Sequence, residues 1–342
     1  MMAAIEKEWT LRRAGVGQAS TLYFGGGTPS LLQPEQLLPF AQISEWEEFT
    51  LEANPEDITP EKCTQWREAG VTRLSIGVQT FDDKLLDWMN RKHSGSQAIR
   101  AIEFANAAGF EHISADLIFG LPGRTHGAWL EDLNTMLSLP IDHLSAYILT
   151  VEPRTVLGHR VAKGLEKEAD EDAVEHAYAA LCRLTAEAGF DHYEVSNFAR
   201  PGGRAVHNSR YWSGAAYVGL GPGAHGFDGM NTRYANLANN PLYIQSILKA
   251  ESIEDLPCTA EVLSKRDRYN EMLMTGFRTA AGVDLAETEK KWGLRPDLID
   301  PKAWGQALEH GVIVEDGTRV RVAEESWLVG DSVAAQFFAV ED

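Results

Sequence analysis

Residues 23–30 read Tyr-Phe-Gly-Gly-Gly-Thr-Pro-Ser, so that a β-favouring run leads directly into three consecutive glycines. Glycine costs backbone entropy, and three in succession indicate a loop whose backbone approaches another group closely. A phosphate-binding loop would carry Gly-Lys-Ser or Gly-Lys-Thr, and a dinucleotide-binding fold would carry GxGxxG; neither is present. We therefore predict a strand that ends in a loop able to bind a small zwitterion, with Thr28 and Ser30 placed to cap the next helix.

Strands and helices alternate outward from this segment. β-Favouring runs occur at residues 21–24, 49–53, 73–78, 112–119, 143–149 and 192–196. Helical patterns occur at residues 60–69, 82–89, 95–108, 127–137 and 169–188. Repeated βα units predict parallel strands joined by helical crossovers, which places the chain in the α/β class.

Polar residues mark the ends of these predicted strands. Glu52 lies at the end of the second strand, Gln79 follows the third, and Asp116 lies in the fourth. In a βα barrel the carboxyl ends of the strands converge on one face, where ligands bind. A single end of this kind would be an ordinary βα turn, but polar groups beside Gly or Pro at five successive ends favour a binding site.

The HNSRYW segment, residues 207–212, combines an imidazole, a carboxamide and two large aromatic rings. These side chains belong to His207, Asn208, Tyr211 and Trp212. A Gly-rich stretch follows and adds a second imidazole, His225. Imidazole is a common ligand of haem iron, and aromatic faces suit a flat macrocycle. Taken alone, a histidine beside aromatic rings is more often a hydrogen-bonded structural residue, so the haem interpretation depends on the rest of the chain.

The composition narrows the class of protein. The 342 residues carry a formal net charge of −19 and 44% hydrophobic residues. So acidic a surface repels phosphate backbones, and we expect no nucleic acid as a partner. No apolar run approaches membrane-spanning length and no export signal opens the chain, which predicts a globular cytoplasmic protein. The three cysteines, Cys63, Cys182 and Cys258, are isolated and form neither a metal-binding spacing nor a disulfide framework.

A second module follows a Leu-Pro break near residue 256. Helical patterns occur at residues 260–277, 284–292 and 302–310, before a hairpin pattern at residues 312–322. The dipeptide Asp316-Gly317 predicts a type I′ turn in this hairpin. Three helices and a β-wing predict a small winged-helix-like domain, so we expect one domain over residues 1–252 and another over residues 253–342.

The strand ends resemble, in order and spacing, those of radical S-adenosylmethionine (SAM) proteins. The resemblance is carried by residues 23–30, 52–55, 75–81 and 116–123. Together with the HNSRYW segment, these residues resemble the HemW-like haem chaperones of that superfamily, which are relatives of the oxygen-independent coproporphyrinogen III oxidases. The resemblance covers nearly the whole chain. It implies a partial (βα)6 barrel with a small C-terminal domain, a cytoplasmic location and delivery of haem to acceptor proteins.

The resemblance also implies cofactors and partners. Haem would be held by His207, Asn208, Tyr211, Trp212 and His225, and either histidine could ligate the iron. SAM and a [4Fe–4S] cluster are expected for the family. Respiratory haemoproteins are the expected haem acceptors, and a transient association with membranes and a homodimer are compatible with the family.

The family's SAM contacts fall on residues of the predicted strand ends and the loops beyond them. These residues are Gly25, Gly26, Gly27, Thr28, Glu52, Gln79, Arg91 and Asp116. The glycines, with Thr28 beside them, would meet the methionine amino group, and Glu52 would hydrogen-bond the methionine or ribose end. Gln79 and Arg91 would flank the ribose and carboxylate, and Asp116 would face the ribose. Without the family, Arg91 could equally be a surface charge at a helix end.

The family's cluster motif, CxxxCxxC, is absent from the sequence. Residues 1–9 predict the helix that would follow the cluster loop, so we expect an N-terminally truncated barrel or, alternatively, a shortened paralogue. We accordingly expect no [4Fe–4S] cluster, no SAM cleavage and only weak SAM binding. The favoured function is that of a haem chaperone. The alternatives are an oxygen-independent coproporphyrinogen III oxidase-type enzyme, inactive without its cluster, and a fragment with remnants of both sites.

Overall fold

The computed structural model describes residues 1–340. Its helices are α1 Met2–Arg12, α2 Leu38–Ala41, α3 Pro60–Glu68, α4 Asp83–Trp88, α5 Gly95–Ala107, α6 His126–Ser138, α7 Val156–Ala162, α8 Glu171–Glu187, α9 Val206–Trp212, α10 Asn240–Lys249, α11 Lys265–Phe277, α12 Leu285–Trp292, α13 Pro296–Ile299, α14 Pro301–Glu309 and α15 Gly330–Gln336. Its strands are β1 Thr21–Phe24, β2 Glu48–Ala53, β3 Arg73–Gln79, β4 His112–Phe119, β5 His143–Ile148, β6 Asp191–Glu194, β7 Asn197–Ala199, β8 His225–Phe227, β9 Thr232–Asn236, β10 Cys258–Val262, β11 Val283–Asp284, β12 Ile313–Asp316 and β13 Arg319–Val322. The chain forms two compact units. Residues 21–41 and 46–205 form the first, and residues 1–20, 42–45 and 206 onward form the second.

The first unit is built on a seven-stranded sheet of order β1-β2-β3-β4-β5-β7-β6. Strands β1 to β5 pair in parallel with their neighbours. Helical crossovers connect them, with α3 between β2 and β3, α5 between β3 and β4, and α6 between β4 and β5. The sheet is open, with β1 and β6 at its two edges. The predicted α/β class and partial barrel are therefore confirmed.

The predicted sixth strand, residues 192–196, is wrong in its bounds. β6 ends at Glu194, and the chain turns back into β7, which pairs antiparallel with both β6 and β5. The Glu194 carboxylate explains the turn, because it accepts hydrogen bonds from the backbone N–H of Ser196 at 3.3 Å and from the side chain of Asn197. This local side-chain bonding competes with the extended strand that the β-favouring residues predict.

The core of the first unit is apolar on the parallel strands. Leu51, Leu74, Ile76 and Leu117 are completely buried. A parallel sheet covered by crossover helices needs such side chains on its strands. Among the predicted site residues, Glu52 and Gln79 lie at the ends of β2 and β3, whereas Asp116 lies within β4.

The second unit contains a three-stranded sheet that our sequence patterns do not predict. Its central strand β9 pairs antiparallel with β8 and β10. The helix predicted at residues 1–9 is present as α1, and it packs against α10. Ala4 of α1 is buried in a core with Tyr243 and Ile247 of α10. The fully buried Glu8 accepts a hydrogen bond from the Tyr243 hydroxyl at 2.5 Å, which fixes α1 to α10.

The C-terminal part of the second unit combines α11, α12 and α14 with a sheet of order β11-β13-β12. The predicted helices and β-wing are confirmed, with two differences. Residues 260–262 belong to β10, and the helix begins only at Lys265, after the Ser264 cap. In the hairpin Asp316 pairs with Arg319, which leaves Gly317 and Thr318 in the turn.

The type I′ prediction for this hairpin is wrong, because that turn needs a positive φ at both central residues. Of these two residues, only Gly317 has a positive φ, at 63°.

The domain boundary between residues 252 and 253 stays a prediction. Within residues 1–340, no helix has both the length and the apolar character needed to cross a bilayer.

Candidate functional site

The glycine loop after β1 needs its glycines for two reasons. Gly26 and Gly27 have φ angles of 70° and 103°, a region that side chains disfavour. At Gly25 the reason is close approach, since a Cβ atom there would lie 2.5 Å from Tyr23 Cε1 and 2.7 Å from Glu52 Oε1. The loop therefore brings backbone N–H groups next to the carboxylate at the end of β2.

Both carboxylate oxygens of Glu52 accept hydrogen bonds from this loop and strand. Oε1 accepts from the Tyr23 hydroxyl at 2.8 Å, and Oε2 accepts from the Gly26 N–H at 3.0 Å. Burial and the Glu52 carboxylate raise the pKa of Tyr23, so that its hydroxyl remains a donor. Glu52 is thus fixed in orientation beside the glycine loop.

Asp116 is electrostatically coupled to Glu52 and Arg91. It lies on β4 directly opposite Ser145 of β5. Burial raises the pKa of Asp116 to about 7, while Ser145 lowers it, Glu52 raises it and Arg91 lowers it. The raised pKa makes the protonated form of the Asp116 carboxyl accessible. It can therefore either donate or accept a hydrogen bond.

Gln79 and Arg91 lie beside Asn54. Gln79 has a φ of 71°, unusual for a residue with a side chain, and the β3–β4 register shifts just before it. A Cβ atom on Gly77 would lie 3.0 Å from Gln79 Nε2 and 3.9 Å from Asn54 Oδ1. Arg91 Nη1 donates to Asn54 Oδ1 at 3.4 Å. Asn54 is therefore hydrogen-bonded to Arg91, and the side chains of Asn54 and Gln79 both approach Gly77.

Thr28 is exposed at the end of the glycine loop. The predicted capping of the helix near Gln33 by Thr28 and Ser30 is wrong, because the 3₁₀ helix Pro34–Gln36 has Gln33 as its N-cap residue. The buried Ser30 hydroxyl instead donates to Asp57 Oδ2 at 2.7 Å. This bond ties the glycine loop to the loop after β2.

Three residues of these strand ends, Tyr23, Asn54 and Tyr147, lie outside the predicted set. Tyr147 follows Ser145 by two residues on β5, so both lie on one face of the strand. Burial and the neighbouring Asp116 raise the pKa of Tyr147. Alternation along the strand signals Tyr147, whereas the hydrogen bond of Asn54 to Arg91 has no counterpart in the sequence pattern.

The HNSRYW segment forms most of the short helix α9, in which His207 is hydrogen-bonded to Tyr211. His207 Nε2 lies 3.1 Å from the Tyr211 hydroxyl. Tyr211, 44% exposed, also contacts Tyr217 edge to face, with ring centroids 4.8 Å apart. Asn208 lies on the same helix and is half-buried. The segment therefore begins a continuous line of partly exposed rings.

His225 continues this line on β8. Tyr217 and Phe227 exchange backbone hydrogen bonds, both at 2.9 Å, in an antiparallel bridge. Residues directly opposite each other share a face, and so do residues two apart on a strand. The exposed His225 therefore lies on the same face as Tyr217, the residue that Tyr211 contacts. The ring contacts themselves run from His207 through Tyr211 and Tyr217 to Phe227.

Trp212 faces a cavity of about 510 Å³ within the second unit. Tyr211 and residues of α11 and α12 also line it. The indole Nε1 of Trp212 is buried and has no hydrogen-bond partner among the described residues. A cavity of this size lies in the range typical of small-molecule sites, about 300–1,000 Å³.

The cysteines do not fit a cluster site. They lie on three different elements, Cys63 on α3, Cys182 on α8 and Cys258 on β10. Cys63 is fully buried, and burial raises the pKa of its thiol to about 11. A cubane cluster is held by thiolates on a closely spaced loop, and a thiol with a raised pKa is a poor source of thiolate.

Two family models match the chain. The radical SAM superfamily model matches residues 4–136, and the HemN C-terminal domain model matches residues 263–329. The first match includes the glycine loop, Glu52, Gln79, Arg91 and Asp116. The HNSRYW segment lies between the two matches.

Curated relatives match nearly the whole chain. Haem chaperone HemW of Bacillus subtilis is 37% identical over 345 residues, which cover 98% of this chain and 90% of the relative. Haem chaperone HemW of Escherichia coli is 32% identical, over 94% of this chain and 85% of the relative. The mitochondrial radical S-adenosyl methionine domain-containing protein 1 of Mus musculus is 34% identical, over 96% of this chain and 77% of the relative.

A solved structure shares the fold. Coproporphyrinogen III oxidase HemN of Escherichia coli superposes with a TM-score of 0.82 at 20% sequence identity, covering 98% of this chain and 82% of that chain. The matches to the chaperones of Bacillus subtilis and Escherichia coli cover 98% and 94% of this chain. The chain therefore belongs to the HemW family of the radical SAM superfamily.

Proposed function

We propose that this protein is a haem chaperone, which binds haem and passes it to acceptor proteins. The observation that carries this proposal is the line of partly exposed rings from His207 through Tyr211 to Tyr217. Family membership supports it, because the relatives whose matches cover more than 90% of this chain include three that are named haem chaperones. A flat macrocycle with an iron centre needs both an imidazole and aromatic surface, and this line supplies them together.

His207 is the leading iron ligand in this proposal, and His225 is the alternative. Asn208, Tyr211 and Trp212 complete the haem-contacting set. Both imidazoles lie in the second unit, and either one could ligate the iron.

A haem titration of the purified chain tests this function. We expect a Soret band that His207→Ala weakens and that the double variant His207→Ala/His225→Ala abolishes. His310→Ala is the matched control, because His310 is an exposed histidine beyond the end of α14. Saturable haem binding that survives the double variant unchanged would remove both histidines from the site.

We propose further that the strand ends of the first unit bind SAM. The proposed set is Gly25, Gly26, Gly27, Thr28, Glu52, Gln79, Arg91 and Asp116. The fit is chemical: the fixed Glu52 carboxylate and the backbone of the glycine loop suit an amino group, and Arg91 suits a carboxylate. SAM would bring a sulfonium whose cleavage needs an electron from a cluster. The chain's own residues only bind and orient SAM.

Calorimetric titration with SAM tests the second proposal. Glu52→Gln should abolish measurable binding, because it removes the charge that attracts the amino group. Glu61→Gln is the control, since Glu61 is an exposed carboxylate at the start of α3. Equal affinity of the two variants would exclude Glu52 from the SAM site.

We propose that the 342-residue chain holds no [4Fe–4S] cluster and does not cleave SAM, because its three cysteines do not fit one. Anaerobic reconstitution should leave substoichiometric iron and yield no 5′-deoxyadenosine. A stable cluster with SAM cleavage would instead favour the alternative function, a coproporphyrinogen III oxidase-type enzyme. We also propose a cytoplasmic location, respiratory haemoproteins as acceptors, and a transient membrane contact and a homodimer during haem transfer.

A further inference from the structure

The cavity beside Trp212 is lined by hydrogen-bond donors without acceptors. Three buried N–H groups of its lining residues have no hydrogen-bond partner among residues 1–340. They are Trp212 Nε1, Arg233 Nε and Arg268 Nε. Buried polar groups are nearly always paired, so each orphaned group calls for an explanation. Because all three are donors, the partner that they lack is an acceptor.

The charges of the cavity favour an anionic acceptor. Its lining has four basic residues and three acidic ones, a net charge of +1 in a chain of −19. The Glu271 carboxylate is shared by both arginines, accepting from Arg233 Nη2 at 2.5 Å and from Arg268 Nη1 at 3.3 Å. One carboxylate therefore holds two guanidinium groups, and a second carboxylate would complete their neutralisation.

The aromatic lining favours a ligand with a flat apolar body. The Arg268 guanidinium lies 4.4 Å from the ring centroid of Phe227 and 6.0 Å from that of Trp292. Its side chain is only 11% exposed, so the rings hold it in place. Tyr211 brings the HNSRYW segment into the same wall. An inorganic anion would leave these rings unused.

We propose that the cavity receives a propionate carboxylate of the porphyrin, with Arg233, Arg268 and Trp212 as its donors. This inference rests on the proposed haem binding by the HNSRYW segment and adds the orientation of the macrocycle. Tyr211 connects the two parts, because it contacts His207 and also lines the cavity. The arginines are positioning residues that select a porphyrin with free carboxylates, while the histidines hold the iron.

Comparison of haem with its dimethyl ester tests the carboxylate contact, since the ester keeps the iron and the ring. Soret titration should show that the chain binds haem at least about tenfold tighter than the ester, the factor expected for charge-assisted hydrogen bonds. Arg268→Gln should reduce this ratio several-fold by weakening haem binding alone. Trp212→Phe, which keeps a ring and removes the N–H, should reduce the ratio partly. Arg278→Gln is the control, because Arg278 pairs with Asp331 and does not line the cavity.

The outcomes separate the two proposals. If the chain binds haem and the ester equally well, the cavity assignment is wrong and the haem function stands. If it binds neither, both are wrong. Circular dichroism checks that each variant is folded. If Arg268→Gln does not fold, Arg233→Gln provides the same comparison, and an unchanged ratio in that variant overturns the proposal.

Discussion

The hydroxyl of Tyr211 lies 3.1 Å from Nε2 of His207, one helical turn away on α9. The two rings meet edge to face with centroids 5.1 Å apart. Residues four apart on a helix share one face, so this contact is a consequence of the spacing in the HNSRYW segment. The nitrogen that suits an iron ligand is thus already engaged. Ligation through Nε2 requires this hydrogen bond to break.

Tyr211→Phe should therefore increase haem affinity. The variant keeps the aromatic surface and removes the group that competes with iron for Nε2. The net free-energy contribution of one hydrogen bond, about 0.5–1.5 kcal/mol, corresponds to roughly a two- to tenfold change in the Kd for haem. Soret titration measures it, and the gain should disappear in a His207→Ala background. A loss of affinity in Tyr211→Phe would instead show that the tyrosine hydroxyl itself contacts the haem.

Gly25→Ala should destabilise the first unit and prevent SAM binding. The new Cβ would lie 2.7 Å from Glu52 Oε1, so the carboxylate must move away from the loop. Overpacking of this kind costs about 1–3 kcal/mol. Urea unfolding and SAM calorimetry measure the two effects.

Gly17→Ala is the matched control for that substitution, because no heavy atom lies within 4 Å of its Cβ position. Reduced freedom of the unfolded chain should make it neutral or up to about 1 kcal/mol stabilising. If Gly25→Ala behaves like Gly17→Ala, close packing does not explain the glycine loop.

Parallel strands were predictable because their signals are local and strong. Residues 112–119 are an example: the β-favouring run has the predicted bounds in β4, and most of its side chains are buried as a covered parallel strand requires. Glu52 and Asp116 were identifiable because the carboxyl ends of parallel strands meet at one edge. These features depend on periodicity and on βα alternation, both of which a sequence displays directly.

Features that depend on pairing across the chain were not predictable. β8, β9 and β10 have three to five residues each, and β10 pairs with β9 more than twenty residues away. Each strand alone is too short to show alternation. The positive φ of Gln79 is likewise set by the register shift between β3 and β4, because nothing in its own sequence favours that conformation.

Asp116→Asn should remove a pH dependence of stability. Asp116 binds its proton more tightly when folded, because burial raises its pKa from the ordinary 3.8 to about 7. Its stabilising effect is therefore complete below about pH 4 and is lost as the pH rises to about 7. Over that window the free energy of unfolding should fall by at most about 1.4 kcal/mol per pH unit. Asparagine cannot ionise, so the free energy of unfolding of the variant should rise relative to that of the native protein between pH 4 and 7. Parallel curves in urea unfolding would show that Asp116 is ionised throughout.

Arg73→Met should be strongly destabilising, because Arg73 holds the amino ends of three strands. Its side chain is 2% exposed, Nε donates to Glu48 at 2.8 Å, and Nη1 donates to Ser114 at 3.1 Å. Removing the guanidinium breaks this buried ion pair, which costs about 3–5 kcal/mol. The double variant Arg73→Met/Glu48→Leu should recover part of this loss, since it removes the remaining charge.

Arg183→Ala is the control for this prediction. Arg183 and Glu187 form an exposed ion pair, with side chains 57% and 60% exposed. The loss of this pair should therefore cost at most about 1 kcal/mol. Urea unfolding compares all three, and equal midpoints for Arg73→Met and Arg183→Ala would mean that the buried pair contributes nothing to the sheet.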